Sequence, residues 1–440
     1  MAEPTGTPPR INALVTADPN QLDPQDIFDH LPSNRSGEAD RRYMDEVLAD
    51  GFGNRESAHM VGRFETAFAE KFGVRFAISH NSGTGTMLSC LLAAGVGPGD
   101  EVIVPAATMA STAMVVVQAG AVPVFADCDS RTFNMDPADV ARKITEHTRA
   151  IIPVSLFGLP ADFDAILALA QRQNLTVIED DAQCFLATYH GRLAGTIGRA
   201  ASFSFQGSKH MTSGGSGGMV ITDEEGYARN IRKAAILGYS TLDAKPGATM
   251  IPRDVRQDYA FERHDRFGYN FRMSAPQAAL GLGQLERLDY LVAARRYIAA
   301  QYEQVIREEK CEWLIPPYVP AGCTHSYWCY TCTLDTDRLG VDWRAFRKTF
   351  IAQGGDGLYG LWVPVHLEPV FRTLSFFGAP ERSPNFDPRY KGRVKSYQAG
   401  DCPQVEAFRS KVCLFKTGMQ NPAKIRSQAD ALQQTIRFYA

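Results

Sequence analysis

The chain has little that marks a membrane, secreted or nucleic-acid-binding protein. Its 46 basic and 49 acidic side chains nearly cancel, to a formal charge of -3, so no field of one sign points to nucleic acid or an anionic membrane. Nine cysteines, an odd number scattered from Cys90 to Cys413, suit reduced thiols in a cytoplasmic protein. The close pair Cys329-x-x-Cys332 lies in an alternating strand-like run and has no second Cys or His pair at zinc spacing, so no metal is expected. The long uncharged stretch Val102 to Ala126 is divided by Pro105, Gln118, Gly120 and Pro123 into strand, helix and strand, which argues against a membrane span. No charged n-region precedes an apolar segment at the N-terminus, so no secretory signal is expected. A Walker lysine motif is missing too. Gly95-Val96-Gly97-Pro98-Gly99-Asp100 has the wrong spacing for a dinucleotide fingerprint and follows a helix instead of a strand.

What is present is an orderly alternation of strand and helix. Strands are predicted at Phe76 to Ser79, Glu101 to Val104, Pro123 to Ala126, Ala150 to Val154, Thr176 to Glu179, Ala201 to Phe205 and Gly218 to Thr222. Helices are predicted between them, one of them announced by Asp136-Pro137, an N-cap acid followed by proline. Such βα units imply an α/β fold with a mainly parallel sheet that binds ligands at the carboxyl ends of its strands. Residues 1–35 read as an irregular arm, 36–285 as a large domain and 286–440 as a smaller α+β domain. Ala275 to Arg296 reads as one connecting helix, with Ala278, Ala279, Gly281 and Gly283 suited to close packing.

Two segments carry the chemistry. Val177-Ile178-Glu179-Asp180-Asp181 is an apolar run ending in acids, as when a buried strand delivers carboxylates to a sheet edge. Ser202-Phe203-Ser204-Phe205-Gln206-Gly207-Ser208-Lys209 sets a lysine between a strand and a Ser/Gly turn. Read alone, a lysine in that setting is usually a solvated loop residue. Together, an aspartate and a lysine at one sheet edge suit pyridoxal phosphate, the lysine forming a Schiff base and the aspartate keeping the pyridine nitrogen protonated. Asn81-Ser82-Gly83-Thr84-Gly85 follows a strand and opens a helix, a geometry that holds a phosphate or simply caps the helix.

In order, Asn81-Ser82-Gly83-Thr84, Gly99 to Pro105, Pro123 to Asp127, Phe157-Gly158-Leu159-Pro160-Ala161-Asp162, Val177 to Asp180, Phe203-Ser204-Phe205-x-x-x-Lys209 and Gly268 to Met273 resemble the DegT/DnrJ/StrS family of sugar aminotransferases. The resemblance implies the fold type I architecture, a seven-stranded sheet and pyridoxal 5'-phosphate as cofactor. It assigns Lys209 to the cofactor bond and to proton transfer, Asp180 to the pyridine nitrogen and Gln183 to the 3-hydroxyl. Gly83, Thr84, Gly85 and Ser204 would hold the phosphate. Asn270 would reach it from a neighbouring subunit, which makes a homodimer part of the site. Met109 stands where many members stack an aromatic ring; Arg272 and His366 would face substrate. The amino donor would be glutamate or glutamine and the acceptor a keto or aldehydo sugar, nucleotide-linked or a cyclitol.

The turn Ser213-Gly214-Gly215-Ser216-Gly217-Gly218 departs from the family pattern, lacking its glutamate and running one residue longer. This leaves two alternatives. His210 in the lysine's place would imply a sugar dehydratase, and a degenerate site would imply a regulator that binds the cofactor without catalysis.

Overall fold

The computed structural model describes residues 8–51, 54–383 and 396–440. Its main sheet contains β1 (Phe76–His80), β2 (Glu101–Pro105), β3 (Val122–Ala126), β4 (Thr148–Ile151), β5 (Thr176–Asp180), β6 (Ala200–Ser204) and β7 (Gly218–Thr222). The spatial order is β1-β7-β6-β5-β4-β2-β3. From β6 to β3 all neighbours run parallel, while β7 lies antiparallel to both β6 and β1. All seven predicted strands are there. The fourth begins two residues early and ends at Ile151, with Val154 making only a single bridge to Asp180.

Every residue of β2, β6 and β7 is buried, because helices cover both faces of the sheet. On one face, α2 (Asn54–Phe72) lays Phe64, Phe68 and Phe72 against Phe203 and Phe205. This helix follows α1 (Glu38–Ala49); the apolar spacing of Ala39 to Phe72 reads as helical, broken in two by Gly51-Phe52-Gly53-Asn54, of which residues 52–53 lie outside the described residues. On the other face sit α3 (Gly83–Ala93) and α4 (Ser111–Gln118), whose Leu88, Leu91, Val115 and Val116 are fully buried.

Ala275 to Arg296 is two helices instead of one, α5 (Ala275–Leu285) and α6 (Leu288–Glu308). The chain turns at Glu286-Arg287, where the Arg287 guanidinium turns inward to Asp40 and the Gly283 carbonyl. No glycine or proline marks that break. The small residues of α5 do permit close packing: a Cβ on Gly281 would lie 2.6 Å from the Phe64 ring, and one on Gly283 2.7 Å from Asp40 Oδ1.

The arm also departs from expectation, since its described part contains three short helical turns at Ala13–Val15, Pro19–Gln21 and Pro24–Phe28. Asp18-Pro19 and Asp23-Pro24 carry the same start signal as Asp136-Pro137. Arg296 fastens the arm by donating to the carbonyls of Leu14, Val15 and Ala17.

Beyond α6 a second, antiparallel sheet forms from β8 (Leu314–Ile315), β9 (Cys329–Leu334), β10 (Leu358–Gly360) and β11 (Val412–Lys416). Cys329 and Cys332, three apart on β9, face opposite sides and belong to different apolar clusters. The segment leading into β9 docks on the turn at Leu156–Gly158, where a Cβ on Gly158 would lie 2.6 Å from the Tyr327 amide nitrogen and φ is 108°. Ser326 donates its amide to the Gly158 carbonyl at 2.8 Å.

Candidate active site

Three consecutive acids leave the end of β5 and meet three fates. Glu179 is buried and accepts the amides of Gly195, Ile197 and Gly198 at 2.6–2.7 Å, which makes it a fastener for the segment after the 188–193 hairpin. Asp181 is also buried, and burial beside Glu179 pushes its pKa well above the usual carboxylate range. Asp180 faces the opposite way. Its Oδ2 accepts the Thr112 hydroxyl at 2.8 Å and its Oδ1 the Ala182 amide at 3.2 Å. Burial raises the Asp180 pKa, and those two bonds together with the charge of Lys209 oppose the rise.

Lys209 is half-buried on the turn after β6, its ammonium 4.7 Å from the centre of the Trp328 ring. Loss of water lowers its pKa from the ordinary lysine value to about 8, partly offset by Asp180 and reinforced by Arg295. His210 points elsewhere. Its Nε2 lies 2.9 Å from the Ser326 carbonyl and its ring packs on Phe185, while burial takes its pKa well down. The chain therefore turns the lysine, and not the histidine, toward Asp180.

The phosphate candidates converge at the start of α3. Ser82 caps the helix by accepting the Gly85 amide at 3.1 Å. Ser204 closes the other side, so near that a Cβ on Gly83 would lie 2.7 Å from its Cβ. Gly85 is equally tight, with a Cβ there 3.1 Å from the Phe271 ring. Thr84, half-exposed, is the second residue of the helix. A small cradle of this kind, at a helix N-terminus, with a buried carboxylate and a poorly solvated lysine nearby, fits pyridoxal phosphate.

The remaining candidates spread outward. Met109 is 56 % exposed in the loop before α4, three residues ahead of Thr112. Gln183 is buried and its Oε1 accepts the Phe157 amide at 3.0 Å, fixing a residue at φ 59°. Asn270 is exposed and accepts a bond from Arg272 Nε at 2.9 Å. Arg272 also lines a cavity of about 260 Å³ with Tyr239, Met250, Ile251, Arg263 and His264. His366 is fully buried, its Nε2 2.9 Å from Glu406 and its ring against Phe125, so it is not among the groups around Lys209. The segment Pro380 to Gln398, polar, proline-containing and without periodicity, reads in the sequence as a loop on which acceptor choice depends, and it falls for the most part outside the described residues.

Sequence reasoning missed Thr112, Trp328, Arg35 and Arg295. Trp328 stacks parallel to Phe157 and donates Nε1 to the Ser208 carbonyl at 2.9 Å. These four come from α4, the irregular segment leading into β9, the arm and α6, so nothing local in the sequence ties them to Lys209.

A family model described as the DegT/DnrJ/EryC1/StrS aminotransferase family matches residues 34–388. The chain belongs to that family and is a pyridoxal-phosphate-dependent aminotransferase of the fold type I architecture. Among its relatives, the GDP-perosamine synthase of Caulobacter vibrioides is 40 % identical over 72 % of this chain and 80 % of its own. The spore coat polysaccharide biosynthesis protein SpsC of Bacillus subtilis is 35 % identical over 81 % of this chain and 88 % of its own. The solved aminotransferase of Psychrobacter cryohalolentis superposes with a TM-score of 0.79 at 28 % identity, covering 93 % of this chain and 99 % of that one. Among the described residues no helix is long and apolar enough to cross a membrane.

Proposed function

We propose that this enzyme moves an amino group from glutamate or glutamine to the carbonyl of a nucleotide-linked keto sugar, in the cytoplasm and as a homodimer. The observation that carries the reading is that β5 and β6 pair Asp180 with Ser202, so that Asp180, the Gly83/Ser204 cradle and the turn bearing Lys209 share one sheet edge. When bound, pyridoxal phosphate supplies the electron sink for the carbon that loses its proton. With a pKa of about 8, the Lys209 amine is near the point at which it can both take a proton and return it. Asp180, buried and held by Thr112, is placed to keep a pyridine nitrogen protonated. The amides at the start of α3, with Ser204, would hold the phosphate.

The acceptor class rests on the cavity beside Asn270. Arg263 and Arg272 give it a cationic lining suited to a diphosphate, and the Caulobacter relative is named for a GDP-linked sugar. In the homodimer, Asn270 of the partner subunit would complete the phosphate site. Mixing Lys209→Ala and Asn270→Ala proteins tests this: hybrid dimers should recover up to about a quarter of the native activity, by the random pairing of two subunit types across shared sites. No recovery would place Asn270 in its own subunit's site or outside both. Inhibition by a free nucleoside diphosphate, weakened by Arg263→Gln, tests the acceptor class.

A further inference from the structure

The turn that carries Lys209 is built in an unusual way. Residues 206–210 belong to no helix or strand, and four consecutive carbonyls, from Gly207 to His210, need donors. Two guanidinium groups from distant parts of the chain provide most of them. Arg35 of the N-terminal arm donates to Gly207, to Lys209 at 2.6 Å and to His210 at 3.3 Å. Arg295 of α6 donates to Ser208 at 3.2 Å and Lys209 at 3.1 Å, and anchors its other nitrogen on the Trp328 carbonyl and Thr417 hydroxyl. The Lys209 carbonyl thus receives both.

Neutral donors would satisfy those carbonyls, and burying a guanidinium without a carboxylate is costly. The same molecule pairs buried Arg232 with Glu65 and Arg287 with Asp40. Arg35 and Arg295 have no such partner among the described residues, and burial depresses both pKa values, that of Arg295 to about 9. Arg35 is itself held in place, since its carbonyl accepts from Gln284 at 2.6 Å and from Arg287 at 3.1 Å. An expensive pair of cations has been aimed at one turn from two sides.

We infer that Arg35 and Arg295 are positioning residues that together fix the Lys209 turn, Arg295 being also the cation nearest the buried lysine, so that the N-terminal arm is part of the active site. This rests on Lys209 being the cofactor-bearing group. The charged and titratable groups facing Lys209 are Asp180 from β5, Arg295 from α6 and Cys329 from β9; the Cys329 thiol, pushed up to about 12, stays neutral, as does His210. Arg295 is therefore the cation that opposes Asp180. It favours the neutral amine, which is the form that bonds to the cofactor aldehyde with loss of water.

The test measures the pH dependence of pyridoxal phosphate capture by apoprotein, from its absorbance, together with hydrogen exchange of amides 206–211. Arg295→Gln should move the capture midpoint upward by about one pH unit, while Arg295→Lys, which keeps the charge, should leave it near the native value. Arg35→Gln should raise exchange in 206–211 at least about tenfold and slow capture at fixed pH, the effect expected when about 1.4 kcal/mol of local order is lost. Folded glutamine variants with native midpoints and native exchange would overturn the inference. Should Arg295→Gln not fold, Arg35→Gln and Arg295→Lys decide alone: native exchange in the first, or a shifted midpoint in the second, would overturn it. If the native protein captures no cofactor, the reading of Lys209 fails instead, and the exchange measurement still judges the clamp.

Discussion

Lys209 and His210 are adjacent in the chain and face opposite ways, the lysine toward the Trp328 ring at 4.7 Å and the histidine toward the Ser326 carbonyl at 2.9 Å. Lys209→Ala should abolish transamination and the visible band of lysine-bound cofactor. His210→Asn should keep that band and lower stability, because it removes a buried ring from Phe185. A protein that transaminates without Lys209 would refute the assignment.

The ammonium form of Lys209 cannot attack the cofactor aldehyde, and its pKa is lowered to about 8. Capture should therefore accelerate as pH rises and level off above about 8. A midpoint near the ordinary lysine value of about 10.4 would show that burial and Arg295 do not act as described.

Thr112→Val removes the hydroxyl that reaches Asp180 at 2.8 Å while conserving shape. Losing one charge-assisted bond should raise the Asp180 pKa further and cut kcat by about tenfold, the equivalent of ~1.4 kcal/mol. A steady-state comparison at two pH values checks it.

Much of the site was legible because it follows strand order. The ends of β5 and β6 bring Asp180 and Lys209 to one edge, and the seven apolar runs that make the sheet were visible as such. The carboxylates of Glu179 and Asp180 were separable in the sequence through the family resemblance but not by their chemistry, since only the backbone path of Gly195 to Gly198 consumes the first. The break at Arg287 was hidden for a similar reason: its cause is Asp40, far away in the chain. The surroundings of His366 were hidden as well, since Glu406 and Phe125 meet it from distant parts of the chain.

Gly83→Ala would press a methyl group to within 2.7 Å of the Ser204 Cβ. The expected loss is about 1–3 kcal/mol of stability by overpacking, with cofactor affinity reduced more than thermal stability. Equilibrium dialysis and thermal unfolding separate the two.

Glu65 accepts Arg232 through both carboxylate oxygens at 3.0 and 3.1 Å, along with the Ser79 amide and hydroxyl and the Gly247 amide. Glu65→Gln leaves the buried Arg232 without its charge partner, and should cost about 3–5 kcal/mol. Denaturant unfolding of the apoprotein measures it.

The most direct measurement is the visible absorption spectrum of the purified protein loaded with pyridoxal phosphate, recorded before and after adding glutamate. A lysine-bound cofactor band that disappears as the amino form of the cofactor accumulates, and that is absent from Lys209→Ala, is the predicted result. A native protein whose spectrum shows no bound cofactor, or a band that Lys209→Ala retains, would contradict the account.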